Sequence, residues 1–108
     1  MRAAGGTAFG YAADLSDHAT VAAVLQAIAA DYGAAHVLVW NAAQWVETPA
    51  LLLDPQELDG QMRLGFSAAL TAIRAVAPAM TAAGGGTILL TGGGLARAPQ
   101  YGTAVPAL

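Results

Sequence analysis

The polar residues that follow two apolar segments are the first candidates for chemistry. Asn41 comes directly after the apolar run VLVW at residues 37–40, and Thr91 comes directly after the run ILL. Short unbroken apolar runs rich in β-branched residues are typical of strands buried on both faces of a parallel sheet. Open α/β sheets bind ligands at the carboxyl ends of such strands. We therefore expect a binding site at the edge where these two runs end.

The other reactive residue types are few. The chain has no cysteine and no lysine, which excludes disulfides, thiolate chemistry and zinc–thiolate sites. His18 and His36 have no third ligand at a suitable spacing, so we predict surface histidines and no metal site. Tyr101 has no neighbouring cation, and its pKa should stay at about 10. The run at residues 92–94, all glycine, could bind an anion through backbone N–H groups, but the missing P-loop lysine favours a flexible turn.

Composition narrows the class of protein. The 108 residues are 56% hydrophobic and 10% charged, which indicates one folded domain at most, or part of one. The net charge of -3 without a basic cluster argues against nucleic acid and anionic membranes as partners. The N-terminus is a poor signal peptide, and no unbroken apolar run reaches the roughly 18 residues of a membrane span. We expect a cytoplasmic location.

The elements that must position these residues can be read from caps and periodicity. Residues 7–13 are a weak strand candidate, interrupted by Gly10. Ser16 or Asp17 can cap a helix over residues 19–32, which should stop at Gly33. Strand 37–40 comes next.

A second, longer helix should start at Asp54. Pro55 takes its first position, and Glu57 follows three residues after the cap, which together form a strong start signal. Pro78 should kink or break this helix, so residues 79–83 are expected to form a separate turn. A strand over residues 87–91 follows. The order strand–helix–strand–helix–strand predicts right-handed crossovers and a parallel sheet.

In combination, these segments resemble the middle of a short-chain dehydrogenase/reductase. The resemblance rests on the segments DLSD, DYG, VLVWNAA, LLLDPQELDGQM and AVAPAMTAAGGGTILLTGGG. It implies an α/β, partial Rossmann-like three-layer fold with three parallel strands and two main helices. It further implies that residues 1–108 are a single partial NAD(P)-binding domain that lacks the N-terminal glycine-rich βαβ unit and the C-terminal part.

The resemblance also implies binding residues for NAD or NADP. Asp14, followed by Leu15, would accept a hydrogen bond from the adenine amino group, and Asn41, Ala42 and Ala43 would line the adenine-ribose side. Thr91 and Gly92 would flank the nicotinamide. The plainer alternatives are a turn or capping aspartate and an asparagine that ends a strand by bonding its own backbone. Trp40 replaces a usual asparagine of the family, and we expect it in the core.

The family's catalytic set is not present. Gly92-Gly93 stands where the family has its serine, Gly65 stands where the helix asparagine should be, and Tyr-x-x-x-Lys is missing, as is Gly-x-x-x-Gly-x-Gly. The Thr-Gly-Gly-Gly at residues 91–94 resembles a variant branch of the family. We predict no catalytic residue in this chain. The implied parent activity is oxidoreduction of a small alcohol or carbonyl substrate, and we expect this fragment to be inactive.

Two other functions stay open at this point. One is a nucleotide-binding remnant without chemistry. The other is an oligomerisation or interaction module that uses the helix over residues 55–80, a helix through which members of the family often form homo-oligomers. The family fold also implies that two absent strands lie between residues 7–13 and strand 37–40. Their removal leaves a gap of about 10 Å or more at the usual strand spacing. The first strand should either slide over to pair with the second or stay loose.

Overall fold

The computed structural model describes residues 4–98, in which helical stretches and strands alternate. The elements are α1 His18–Tyr32, β1 Val37–Trp40, a 3-10 turn Ala50–Leu52, α2 Pro55–Met62, a π-helical turn Arg63–Ser67, α3 Ala68–Ala82, β2 Thr87–Leu90 and a 3-10 turn Gly94–Ala96. The predicted first helix and the strand at residues 37–40 are confirmed. The last predicted strand ends at Leu90, before Thr91.

Helix α1 begins and ends at residues whose chemistry suits those positions. Asp17 has extended backbone, and its carboxylate accepts the N–H of Ala19 at 3.1 Å and the hydroxyl of Thr20 at 2.9 Å. Gly33 follows the last turn with a φ of 84°, in the region that favours glycine. Of the two caps that the sequence allowed, Asp17 is the one that bonds the first turn.

The second helical stretch is continuous over Pro55–Ala82. Asp54 accepts a backbone N–H of the first turn at 2.8 Å, with Pro55 next in the chain, so the predicted start is confirmed. The predicted break at Pro78 is wrong, because α3 continues to Ala82. A proline removes the hydrogen bond to the carbonyl four residues earlier. That carbonyl belongs to Arg74, and both residues are exposed, so water can solvate the freed group.

The sheet consists of two parallel strands. β1 and β2 are aligned from Val37 opposite Thr87 to Trp40 opposite Leu90. The N–H of Thr87 donates to the carbonyl of His36 at 3.0 Å, and the N–H of Thr91 donates to that of Trp40 at 3.1 Å. The parallel arrangement confirms the fold class.

The predicted first strand does not form. Residues 7–13 have no strand structure, and the sheet of the described residues has two strands instead of the expected three. The segment is held at the end of α1 instead. The ring of Phe9 stacks on that of Tyr32 with centroids 4.5 Å apart, and the hydroxyl of Tyr11 donates to Asp31 at 2.5 Å. Of the two outcomes expected for this segment, pairing with the strand at 37–40 is therefore wrong.

The core lies on one side of the sheet. Its buried members are Val21 of α1, Trp40 of β1, and Ala68, Ala69 and Ala72 of α3. Leu38 packs against the same cluster, and Trp40 and Leu38 alternate with Val37 and Val39 along β1. Because alternate residues of a strand point to opposite faces, both helices cover the same face. The expected third layer is not formed in residues 4–98: Val37 and Val39, on the other face, are 53% and 56% exposed.

The helical stretch Pro55–Ala82 is both long and apolar. With 28 residues and a mean hydropathy of 1.3 over its most apolar window, it is long and apolar enough to cross a membrane, by length and composition alone. The face that carries Ala68, Ala72 and Val76 is buried, the first two against α1 and Trp40. Only 22% of that most apolar window is buried in the described structure.

Candidate functional site

The carboxyl ends of the two strands lie side by side, as predicted. Asn41 follows β1 and Thr91 follows β2, and the register pairs the residues just before them. The hydrogen bond from the Thr91 N–H to the Trp40 carbonyl fixes the two chain segments next to each other where they leave the sheet. Asn41, Thr91 and Gly92 are all exposed there. These three predicted site residues therefore share one edge of the sheet and are open to a ligand.

An open groove of about 350 Å³ runs along β1 on the side away from β2. We call it the edge groove, and its lining residues are mostly apolar: Phe9, Tyr11, Ala13, Leu15, Val24, Leu25, Ile28, Leu38, Val39, Trp40, Asn41 and Ala42. Three of the predicted binding residues, Leu15, Asn41 and Ala42, thus line one cavity. The edge groove is large enough for part of a small-molecule ligand by the usual volumes of such sites.

Asp14 lies in the turn between residues 7–13 and α1, next to lining residues of the edge groove. Its Oδ1 accepts the backbone N–H of Ser16 at 3.0 Å and the hydroxyl of Ser16 at 2.6 Å. These two bonds from Ser16 lower the pKa of the Asp14 carboxyl below its usual value. The carboxylate is therefore charged at neutral pH, and one of its oxygens is used to hold the turn. Its Oδ2 takes no part in these two bonds.

The segment after β1 packs against the π-helical turn. A Cβ added at Gly65 would lie 3.8 Å from the carbonyl oxygen of Ala42, which is ordinary van der Waals contact. Trp40 is 8% exposed, and its indole N–H donates to the carbonyl of Leu64 at 3.2 Å. The prediction that Trp40 belongs to the core is confirmed. Ala43, next along the chain, is exposed, and it does not line the edge groove.

The glycine run after β2 does not have the backbone geometry of an anion nest. The described glycines with positive φ are Gly5, Gly33, Gly84 and Gly85, and none belongs to residues 92–94. A nest of successive N–H groups needs a left-handed residue in alternation with a right-handed one. A Cβ at Gly92, Gly93 or Gly94 would meet nothing within 4 Å, so packing does not require glycine there either.

The remaining predicted residues are not brought together. His36 is exposed, as expected. His18 is half-buried, and its Nε2 is enclosed without a hydrogen-bond partner, so the prediction of a surface histidine is wrong for this residue. Among residues 4–98, no group of three or more His, Asp or Glu side chains is placed to hold a metal ion. Tyr101 lies outside the described residues.

Sequence reasoning missed two tertiary hydrogen bonds near the site. The Nε of Arg63 donates to the carbonyl of Ser16 at 2.6 Å, which joins the π-helical turn to the loop before α1. The hydroxyl of Tyr11 bonds Asp31, and this bond, more than the smaller effects of burial and of Tyr32, raises the pKa of Tyr11 well above its usual range. Both are contacts between segments distant in the chain, for which a local pattern carries no signal.

Comparisons with known proteins agree with this arrangement. The family profile described as short chain dehydrogenase matches residues 1–105. The D-threitol dehydrogenase of Mycolicibacterium smegmatis is 35% identical over 80 residues, which cover 74% of this chain and 31% of that protein. The chain therefore belongs to the short-chain dehydrogenase family, with the Rossmann-like α/β fold of that family.

Solved structures show the same likeness. A metagenomic short-chain oxidoreductase in complex with NADP is 34% identical, with a TM-score of 0.85 over 96% of this chain and 48% of that one. A gluconate 5-dehydrogenase from Burkholderia cenocepacia, in complex with NADP and tartrate, is 28% identical, with a TM-score of 0.78 over 87% of this chain and 37% of that one. The chain thus spans about a third to a half of the length of these relatives.

Proposed function

We propose that this chain is the central part of an NAD(P)-dependent oxidoreductase that interconverts small alcohols and carbonyl compounds, and that it holds the adenosine end of the cofactor. The observation that carries the proposal is the grouping of Leu15, Asn41 and Ala42 along one groove, with the charged Asp14 beside it. Family membership and relatives whose structures contain NADP support it. In this proposal the protein lies in the cytoplasm, and its partners are a dinucleotide and a small alcohol or carbonyl substrate, not nucleic acid or a membrane.

Each residue has a definite role in this proposal. Asp14 accepts the adenine amino group on Oδ2 while Oδ1 keeps its bonds to Ser16. Asn41, Ala42 and Ala43 lie along the adenine-ribose side. Thr91 and Gly92, at the same edge of the sheet, flank the nicotinamide. The cofactor supplies the hydride chemistry, and these residues bind and orient it. NAD and NADP are equally compatible with these residues.

The described chain does not perform the proton transfer in this proposal. It has no lysine and no serine at the end of β2, so nothing beside a substrate would lower the pKa of a tyrosine to the working range. In this proposal the oxidoreductase activity belongs to a longer protein, as in the relatives, and residues 1–108 contribute cofactor binding. In the alternative function, a nucleotide-binding remnant, residues 1–108 bind the cofactor in the same way, but no other segment of the protein supplies catalytic residues.

A titration of NADPH monitored by its own fluorescence tests the proposal. We expect weak, saturable binding that falls at least about tenfold in Asp14→Asn, because the new amide places a donor where the adenine amino group needs an acceptor (about 1.4 kcal/mol per tenfold). Asp59→Asn makes the same chemical change on the exposed surface of α2 and should bind as the unchanged protein does. No fluorescence change at millimolar cofactor would refute the binding role.

A second candidate function is self-association through the long helix. Met62, Phe66 and Leu70 recur every four residues and are 37%, 69% and 58% exposed, so they form an apolar stripe on its outer side. This stripe supports a homo-oligomer contact over residues 55–80. Light scattering should give a dimer or larger species that Phe66→Lys dissociates. A monomer of the unchanged protein at high concentration would remove this candidate.

A further inference from the structure

Three exposed aromatic rings and one carboxylate meet where the segment at residues 9–11 contacts the last turn of α1. The rings of Phe9 and Tyr32 stack with their centroids 4.5 Å apart and their planes at 27°. The hydroxyl of Tyr11 donates to the Oδ2 of Asp31 at 2.5 Å. Phe9, Tyr11 and Tyr32 are 58%, 38% and 53% exposed. We call these four residues the aromatic cluster.

The aromatic cluster includes a surface that is separate from the residues assigned to the cofactor. Tyr32 ends α1, and only residues 33–36 connect it to the start of β1. The last turn of α1 therefore lies towards the amino ends of the strands, whereas Asn41 and Thr91 follow their carboxyl ends. Two members of the cluster line the edge groove, but Asp31 and Tyr32 do not. A ligand bound at these two residues is thus independent of the proposed cofactor site.

The electrostatic surroundings of the aromatic cluster favour a positive charge. The carbonyl groups of the last helical turn form the negative end of the helix dipole, where basic residues are stabilising. Helix α1 has no basic residue in its last turn and carries Asp31 there instead. Within residues 4–98 no arginine pairs with Asp31, and the whole sequence has no lysine. The faces of the aromatic rings add further negative potential.

We propose that the aromatic cluster binds a trimethylammonium group, with the positive charge beside Asp31 and the methyl groups against the ring of Tyr32. Aromatic rings combined with an acidic group are suited to such ligands, because a quaternary ammonium is attracted by ring faces and has no N–H group to satisfy. A metal ion needs several oxygen ligands, and in the described residues no three acidic or histidine side chains are placed to hold one.

The hydroxyl of Tyr11 determines which organic cation fits. A guanidinium binds best to both oxygens of a carboxylate, and Tyr11 already uses one oxygen of Asp31. A primary ammonium has three N–H donors, which the remaining oxygen alone cannot satisfy. The bond to Asp31 raises the pKa of Tyr11 well above its usual range, so the hydroxyl keeps its proton at neutral pH and continues to donate. The cluster therefore selects a cation without N–H groups.

An NMR titration with choline chloride at constant ionic strength tests the proposal. The ring protons of Tyr32 and the amide of Asp31 should shift and saturate at millimolar choline. The control ligand is the neutral analogue of choline in which carbon replaces nitrogen, and it should bind at least about tenfold more weakly because it has no charge. Equal binding of the analogue, tighter binding of guanidinium, or no saturable shift with choline would overturn the proposal.

A second ligand identifies the source of the trimethylammonium group. A short peptide with one trimethyllysine carries the same group on a polypeptide. Tighter binding of the peptide than of choline would support the proposal with a methylated protein as the partner, and tighter binding of choline would support it with a free small molecule. Binding of the peptide that does not depend on lysine methylation would count against the site.

Variants of the aromatic cluster provide an independent check, with folding verified by far-UV circular dichroism. Asp31→Asn removes the charge but still accepts from Tyr11, and it should weaken choline binding by about tenfold or more. Asp59→Asn, the same change on the exposed surface of α2, should leave binding unchanged. Tyr32→Leu keeps an apolar side chain without a ring and should weaken binding roughly threefold. If it does not fold, Tyr32→Trp should bind choline more tightly.

The selectivity of the cluster can be tested with Tyr11→Phe. This change frees the second oxygen of Asp31, so the affinity for guanidinium should rise by at least about threefold relative to the affinity for choline. A loss of structure alone would lower both affinities together. An unchanged ratio would refute the role of Tyr11, and choline binding that persists in folded Asp31→Asn would refute the site.

Discussion

Replacement of Gly86 by alanine should destabilise the fold, because this glycine lies in a tight place between α3 and β1. A Cβ there would lie 2.8 Å from both Cγ and Sδ of Met80 and 3.1 Å from the carbonyl oxygen of His36. Met80 is only 4% exposed, so its side chain has little room to move. The His36 carbonyl is also fixed, since it accepts the N–H of Thr87 at 3.0 Å.

The magnitude follows from two opposing effects of Gly86→Ala. Overpacking of a well-filled site costs about 2 kcal/mol, the middle of the usual range. Alanine also reduces the conformational entropy of the unfolded chain, which contributes about 0.7 kcal/mol in favour of folding. Gly86 has no positive φ, so backbone strain adds nothing. The net expectation is a free energy of unfolding lowered by about 1.3 kcal/mol.

Urea unfolding followed by tryptophan fluorescence measures this change, with the slope of the transition unchanged. Gly92→Ala is the matched control, because a Cβ there meets nothing within 4 Å and the φ is not positive. Its stability should equal or slightly exceed that of the unchanged protein. In a Met80→Ala background, Gly86→Ala should cost much less, since part of the obstruction is gone. Equal stabilities of Gly86→Ala and Gly92→Ala would refute the steric reasoning.

Three further changes have definite expected outcomes. Trp40→Phe removes the indole N–H from a part-buried carbonyl and should lower the free energy of unfolding by about 1–3 kcal/mol, whereas Trp45→Phe should change it by less than about 0.5 kcal/mol. Asp54→Ala removes a helix cap and should lower it by about 1 kcal/mol, seen also as lost helical circular dichroism. The folded pKa of Asp14 is depressed, so its stabilising effect is present above the unfolded pKa of about 3.9 and is lost as pH falls through the folded value. In Ser16→Ala, an NMR titration should show that pKa moved up towards the unfolded value, and an unchanged pKa would contradict the assigned cause.

Local chemistry explains what could be predicted from the sequence. Gly33 ends α1 because glycine readily adopts the positive φ that this position has. Asp54 and Pro55 start α2 because Asp54 accepts a backbone N–H of the first turn and Pro55 has no N–H to pair, so neither needs a partner distant in the chain. The alternation of apolar strand segments with helices along the chain predicts the parallel sheet. The common edge of Asn41 and Thr91 then follows from parallel pairing alone.

Tertiary context decides the features that could not be predicted. Pro78 does not break α3, because its position on the exposed side lets water satisfy the freed carbonyl. Residues 7–13 do not become a strand, because no strand in the described residues pairs with them, and Phe9 and Tyr11 contact the end of α1 instead. The enclosure of the His18 Nε2 is also a feature of the tertiary structure. None of these contacts leaves a periodic trace in the sequence.

The bond from Arg63 to the carbonyl of Ser16 has a consequence for the response of this protein to salt. Here a charged guanidinium is paired with an uncharged main-chain oxygen, and the carboxylates of Asp14 and Asp31 likewise accept from hydroxyl groups. Added ions screen attraction between opposite charges much more than such short hydrogen bonds. The midpoint of thermal unfolding should therefore be nearly the same in dilute buffer and in moderate sodium chloride.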